Sequence, residues 1–248
     1  MTFSLTVLGC SGMFATRARA ASGYLLDLDG TRLWLDAGSG TWRNLLQFID
    51  YGQIDGVLLS HRHPDHTTDV FQAFHARHYG GSEPLPPIPL WAPADTMERV
   101  CGFADEVQQT FDLRTVAAGG EIRVGPATVS FVSMAHPVET VGVRVENDGV
   151  SFAYSADTGP DADFATLAGG VDLFVCEATL QDSDESWEGH MSASAAADVA
   201  RRVGAGRLLL THLPPDRDRS MSLEQAIRSG GDLSIDLAED GMTCPVAR

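Results

Sequence analysis

The sequence predicts a layered α/β domain, and three observations carry that reading. Two continuous apolar runs, Val57-Leu58-Leu59 and Leu208-Leu209-Leu210, are each followed within two residues by a histidine. Such runs suit central strands that are covered on both faces. Helix-like segments are interspersed with the strand-like ones and supply that cover. Finally, the chain has 248 residues, of which 44% are hydrophobic and 21% charged. That is enough to bury roughly 70% or more of its unfolded surface in a single core. Residues 1–248 therefore read as one domain, without a long linker, internal repeat or low-complexity segment. A disordered chain, a collagen-like repeat and a disulfide mini-protein are all excluded.

The elements follow in order. Residues 1–8 lack the basic region and cleavage site of a secretory leader and read as a strand. Strand patterning marks 3–8, 23–29, 31–36 and 54–60 in the first half, then 128–133, 140–146, 151–155, 173–176 and 207–211. Helix patterning marks 41–50, 65–78, 94–103, 192–203 and 222–228, and Ser192 ahead of an alanine-rich run reads as an N-cap. The proline-rich stretch 84–89 reads as a short connector. No apolar run is long enough to span a bilayer, so a cytoplasmic protein is expected.

Charge narrows the partners. The formal net charge is −17, and every basic residue is arginine. A strongly acidic surface repels a polyanion such as tRNA or duplex DNA. The four cysteines (Cys10, Cys101, Cys176 and Cys244) are far apart, show neither a CxxC nor a zinc-finger spacing, and read as ordinary reduced residues.

The chemistry concentrates in His61-Arg62-His63-Pro64-Asp65-His66, directly after the first apolar run. Residues two apart in extended chain point the same way, so His61 and His63 share a direction. Asp65 and His66 follow where the chain turns into a helix. Four nitrogen and oxygen ligands this close suit zinc or a similar divalent ion, and such a cluster beside a buried strand is costly without one. His136, Asp157 and His212 each follow a predicted strand in the same way.

The series His61-x-His63-x-Asp65-His66, His136, Asp157 and His212 resembles the metal-ligand series of the metallo-β-lactamase superfamily. Leu35-Asp36-Ala37-Gly38 is similar to that superfamily's strand-end aspartate motif. The resemblance implies a four-layer αββα sandwich with two divalent ions, zinc first and manganese or iron as alternatives. It assigns His61, His63 and His136 to one ion, Asp65, His66 and His212 to the other, and Asp157 to both. Cys176-Glu177-Ala178-Thr179 and Gly189-His190-Met191-Ser192 resemble two further motifs of the tRNase Z branch, and the segments 8–12 and 21–25 resemble its short relatives. Those relatives include atypical cyclic-nucleotide phosphodiesterases. Two departures argue against tRNA processing: Cys176 stands where tRNase Z has histidine, and only 21 residues lead from His136 to Asp157, too few for a tRNA-gripping arm.

The expected function is thus hydrolysis of a small anionic phosphodiester, a cyclic nucleotide first. Asp65 would orient the attacking water, and His190, polarised by Glu177, would act as general acid. Hydrolysis of a lactone, thioester or β-lactam on the same metals is the alternative, as is an armless ribonuclease. A nucleic-acid-binding module without turnover is a third reading, which the ligand set and charge oppose. A homodimer is the assembly that the resemblance suggests. Arg17 and Arg19, or His75 and His78, are weaker candidates for substrate contact. Surface charge and a solvated helix face explain them as well.

Overall fold

The computed structural model describes residues 3–104 and 106–247. Met1 and Thr2, included in the N-terminal strand reading, lie outside them. Two seven-stranded sheets form the middle of the molecule. In the first, β1 (Phe3–Gly9), β2 (Gly23–Leu28) and β3 (Thr31–Ala37) make an antiparallel meander; β4 (Gly56–Leu58), β5 (Ile88–Ala92) and β6 (Phe111–Thr115) continue it in parallel. The second sheet repeats the plan. There β7 (Glu121–Val124), β8 (Ala127–Ser133), β9 (Val141–Asn147) and β10 (Val150–Tyr154) are antiparallel, and β11 (Leu173–Glu177), β12 (Arg207–Thr211) and β13 (Ser234–Leu237) add in parallel. The last strand, β14 (Thr243–Pro245), returns to pair with β1.

Alternation within the strands decides the layers. Leu5, Val7, Tyr24, Leu26, Leu33, Leu35 and Leu58 of the first sheet meet Val129, Phe131, Phe152, Tyr154, Val175 and Leu209 of the second in one core. The intervening side chains face outward. Leu25, Trp34, Val57 and Leu90 pack under α1 (Thr41–Leu45), α3 (Val70–Tyr79), α4 (Ala94–Phe103) and α5 (Val107–Thr110). Phe174, Cys176, Leu208 and Leu210 pack under α6 (Phe164–Ala168), α7 (Ala193–Arg202) and α8 (Arg219–Gly230). The result is the expected αββα sandwich. Strands with period-2 patterning on both faces explain why runs such as Leu208-Leu209-Leu210 read as continuously apolar.

Several boundaries differ from expectation. The helix expected over 65–78 is two, α2 (Pro64–Thr67) and α3. They part at Asp69, whose carboxylate accepts the Gly40 and Trp42 N–H groups at 2.8 and 2.9 Å while its own N–H donates to the Ala37 carbonyl. Asp69 thereby caps α1 and ties both helices to the end of β3. The helix expected over 41–50 ends at Leu45, and the one expected over 222–228 runs from Arg219 to Gly230 with Asp218 as its N-cap. Ser192 caps α7 as expected, accepting from the Ala195 N–H. The stretch 84–89 is not all connector: Ile88 and Pro89 open β5.

Candidate metal centre

The two sheets turn the carboxyl ends of several strands toward one edge, where a rigid scaffold can present loops that carry chemistry. After β4 the chain bends through Ser60, His61 and Arg62 before His63, whose backbone is extended. Pro64 then starts α2, a position where its missing N–H costs nothing. That turn delivers Asp65 and His66 to the side of His61 and His63. His136 follows β8, Asp157 follows β10, and His212 follows β12. Three strand-end residues around the cluster adopt left-handed backbone, Asp36 (φ 56), Ala156 (φ 52) and His212 (φ 55), as do Asp29 and Asp148 in the hairpin turns. Non-glycine residues hold that conformation only where the surroundings impose it, and such positions gather at functional sites. Two glycines permit the close approach. A Cβ on Gly38 would lie 2.0 Å from the Asp65 carbonyl, and one on Gly12 would lie 2.6 Å from that of His212.

The donor atoms fall into two groups, His61/His63/His136/Asp157 and Asp65/His66/His212, each lying within 4.8 Å of one another, and a third set, Asp157/His190/His212, meets the same limit and overlaps them. His63 Nδ1 is 3.1 Å from His61 Nε2 and 3.2 Å from His136 Nε2. His212 Nε2 is 3.2 Å from Asp65 Oδ2, and His66 Nε2 is 3.7 Å from it. Asp157 touches both groups, with Oδ2 3.5 Å from His61 Nε2 and Oδ1 3.2 Å from His66 Nε2 and 3.4 Å from His212 Nε2. Ligands about 2.1 Å from a tetrahedral ion sit about 3.4 Å from each other, so the spacing is that of donors arranged around ions. His66 Nε2 and Asp157 Oδ1 are buried yet make no hydrogen bond. A bound cation would satisfy both. The residues therefore fit a pair of divalent ions.

Four of the five ligand imidazoles, those of His61, His66, His136 and His212, are aimed by a contact at the other nitrogen. Asp36, fully buried, receives His66 Nδ1 at 2.7 Å, the Ser60 N–H at 2.7 Å, the Ser60 hydroxyl at 2.8 Å and the Tyr154 hydroxyl at 2.8 Å. Ser60 Oγ in turn lies 3.0 Å from His61 Nδ1. His136 Nδ1 donates to the Gly189 carbonyl at 2.9 Å, and His212 Nδ1 meets Thr179 Oγ1 at 2.9 Å. Thr179 donates onward to Glu177 at 2.7 Å. Glu177, buried, also accepts the Thr158 and Thr179 N–H groups and holds His190 Nδ1 at 2.6 Å.

Electrostatics splits the cluster. Burial lowers the pKa of His61, His63 and His136. Burial also opposes charge on His66 and His212, but there the carboxylates win: Asp157, Asp36 and Asp65 hold His66 well above its ordinary value, and Asp157 with Asp65 raises His212 to about 9. The same histidines overcome the effect of burial on Asp65 and Asp157 and keep both carboxyls below the usual range. The first group thus offers neutral imidazoles, whereas the second holds protons that a metal must displace.

A β-lactamase superfamily domain profile matches residues 31–213. The chain belongs to that superfamily and has the metallo-β-lactamase fold. It is 37% identical over 232 residues to the uncharacterised protein Rv1339 of Mycobacterium tuberculosis, covering 90% of this chain and 85% of that one. It is 30% identical to the probable metallo-hydrolase YhfI of Bacillus subtilis, covering 85% and 86% respectively. The crystal structure of YhfI superposes with a TM-score of 0.89 over 98% of both chains, at 26% identity. The human short-form tRNase Z shares the fold, with a TM-score of 0.78 at 21% identity over 99% of this chain and 100% of that one. Fold, family and His/Asp cluster together define a metal-dependent hydrolase.

The structure brings together all seven residues expected as ligands, with Glu177 and His190 beside them. Other candidates lie apart. His75 is exposed and His78 half-buried, both against Phe74 and Tyr79. Arg17 is exposed, and Arg19 pairs with Glu239 at 3.3 Å. Cys10 is buried, and burial with nearby Asp240 pushes its thiol up to about 12, so it is an unreactive packing residue. Cys176 points into the outer core, away from Glu177's side of β11. Sequence reasoning missed the roles of Ser60, Tyr154 and Thr179, and of Trp187, whose ring lies 4.8 Å from that of His190. For Thr179 a signal existed, its place two residues after Glu177.

Proposed function

We propose that this chain is a dinuclear metal-dependent phosphodiesterase acting on a small anionic phosphodiester, a cyclic nucleotide first. The observation that carries the reading is the buried Glu177 carboxylate holding His190 at 2.6 Å beside the His/Asp cluster. Acyl hydrolysis of an activated lactone or β-lactam has less need of a separate proton donor than expulsion of a sugar alkoxide.

His61, His63 and His136 would hold one ion, Asp65, His66 and His212 the second, and Asp157 both; imidazole-rich donors favour zinc, with manganese or iron as alternatives. When bound, the ions supply Lewis acidity toward the phosphoryl oxygens and acidify water. Asp65, whose side chain is the most exposed of the cluster's carboxylates at 11%, orients the attacking water and takes up its proton. Glu177 fixes His190 through Nδ1, leaving Nε2 to protonate the departing sugar oxygen. Between His136 and Asp157 the chain is occupied largely by the β9–β10 hairpin. That hairpin and the −17 charge support a small substrate over tRNA. The test is parallel turnover by the metal-loaded enzyme on cyclic nucleotides, a tRNA precursor, a lactone and nitrocefin. Cyclic nucleotides are expected to turn over best. Preferential hydrolysis of nitrocefin or the lactone, or efficient removal of a tRNA 3′ trailer, would overturn the reading.

A further inference from the structure

The mouth of the cluster carries an aromatic side chain that none of the metal chemistry uses. Trp187 sits in the loop between β11 and α7 and is 48% exposed, and among the exposed aromatic side chains of the described residues it is the one that lies against the cluster. Its indole leans on the His190 ring, with centroids 4.8 Å apart, and stands edge-on to His136 at 6.2 Å. Gly189 fixes that pose: a Cβ there would lie 2.7 Å from two atoms of the indole's six-membered ring and 3.1 Å from Pro137. The ring is therefore seated on backbone that no larger residue could occupy unchanged, rather than waving in solvent.

Three hollows meet at this indole. One of about 470 Å³ runs from Trp187 and His190 to Met13, Pro214 and Arg217. A second of about 290 Å³ lies toward Pro160 and Gln181, and a third of about 420 Å³ lies toward His136 and Pro137. Met13, 51% exposed and held in left-handed backbone at φ 64, lines the first hollow. A thioether and an indole lining one hollow suit a flat, polarisable group. Arg217 and Asp184, paired at 2.9 Å, border the same hollow and offer donors and acceptors to a ring edge.

We infer that Trp187 is a stacking platform for a nucleobase, with Met13 as a second wall, so that the phosphodiester taken by this site is a nucleotide. The inference rests on the phosphodiesterase reading and narrows it. In a nucleotide the base lies one sugar away from phosphorus, and Trp187 borders both His190 and the cluster's His136. Base–aromatic stacking tolerates any base, since each has a π-face. Trp187 is on this account a specificity residue that acts on affinity and leaves the chemistry to others.

The test is calorimetric binding of adenosine 5′-monophosphate and of base-free ribose 5-phosphate to the metal-loaded protein and to Trp187→Ala and Trp187→Phe, with metal content confirmed in each. Trp187→Ala is expected to bind adenosine monophosphate roughly 5- to 150-fold more weakly. Trp187→Phe should recover most of that loss, and ribose 5-phosphate should bind all three alike. In turnover of a cyclic nucleotide, Trp187→Ala should raise KM by a similar factor, well beyond any fall in kcat. Equal affinity of wild type and Trp187→Ala for adenosine monophosphate would overturn the platform, and so would an equal loss of ribose 5-phosphate. A protein that shows the base-dependent contrast but cleaves no cyclic nucleotide would keep the platform and overturn the phosphodiesterase reading. Cleavage without the contrast would do the reverse.

Discussion

At the residue scale, His190 separates proton donation from metal chemistry. A sugar oxygen needs a proton to depart, whereas nitrophenolate is stable as an anion near neutral pH. His190→Ala should therefore keep its metal and cleave bis(p-nitrophenyl) phosphate near the wild-type rate. On a cyclic nucleotide the same variant should lose about 10²–10⁴-fold, the usual contribution of a positioned acid. Glu177→Gln should show a milder form of the same split, because it weakens the hold on His190 Nδ1 without removing the donor. Steady-state rates on the two substrates decide it, and equal losses on both would make His190 a support of the site. The ligands themselves were legible in the sequence because histidine is scarce, at eight residues, and the ligands sat just beyond strands. Their orienting partners were not. Ser60, Tyr154 and Thr179 are common residue types whose meaning comes only from contacts such as Tyr154 to Asp36 across 118 positions.

At the element scale, what sequence patterning found and what it missed have one physical cause. The nine predicted strands are all present, mostly within a residue or two of their expected bounds, although β4 is confined to Gly56–Leu58. Of the five it missed, β6, β7, β13 and β14 are the four edges of the two sheets. Edge strands are half solvated, so Phe-Asp-Leu-Arg-Thr in β6 or Ser-Ile-Asp-Leu in β13 lacks the apolar density that marks a covered strand. The fifth, β5, opens with Ile88-Pro89, and proline is a poor advertisement for a strand. Helix length was overestimated where side chains redirect the chain: nothing in local periodicity announces that Asp69 will turn from α3 to cap α1.

At the scale of the whole molecule, the cluster ties stability to pH and to metal. In metal-free protein His66 and His212 have raised pKa values, the latter about 9, against an unfolded value of about 6.5. The stability they contribute is complete below pH 6.5 and is lost as pH rises through the folded values. Asp65 and Asp157 are depressed, so their contribution is present above the ordinary carboxylate range and lost only in acid. His61, His63 and His136 are depressed too and cost stability below 6.5, leaving the alkaline arm to His66 and His212. Urea midpoints of chelator-treated protein should accordingly fall between pH 6.5 and 9, with a shallower fall in His212→Gln and none in the metal-loaded form. A metal-free protein as stable at pH 9 as at 6.5 would contradict this assignment.

Whether the cluster is a two-metal centre is tested most directly by counting metal. Elemental analysis of the purified protein, run beside His63→Ala and Asp157→Ala, should find about two divalent ions per wild-type chain. Asp157 borders both donor groups, so its loss should empty both sites, whereas His63→Ala should chiefly empty the first; hydrolytic activity should disappear in both variants. Full activity in a wild-type preparation stripped of metal would contradict the account.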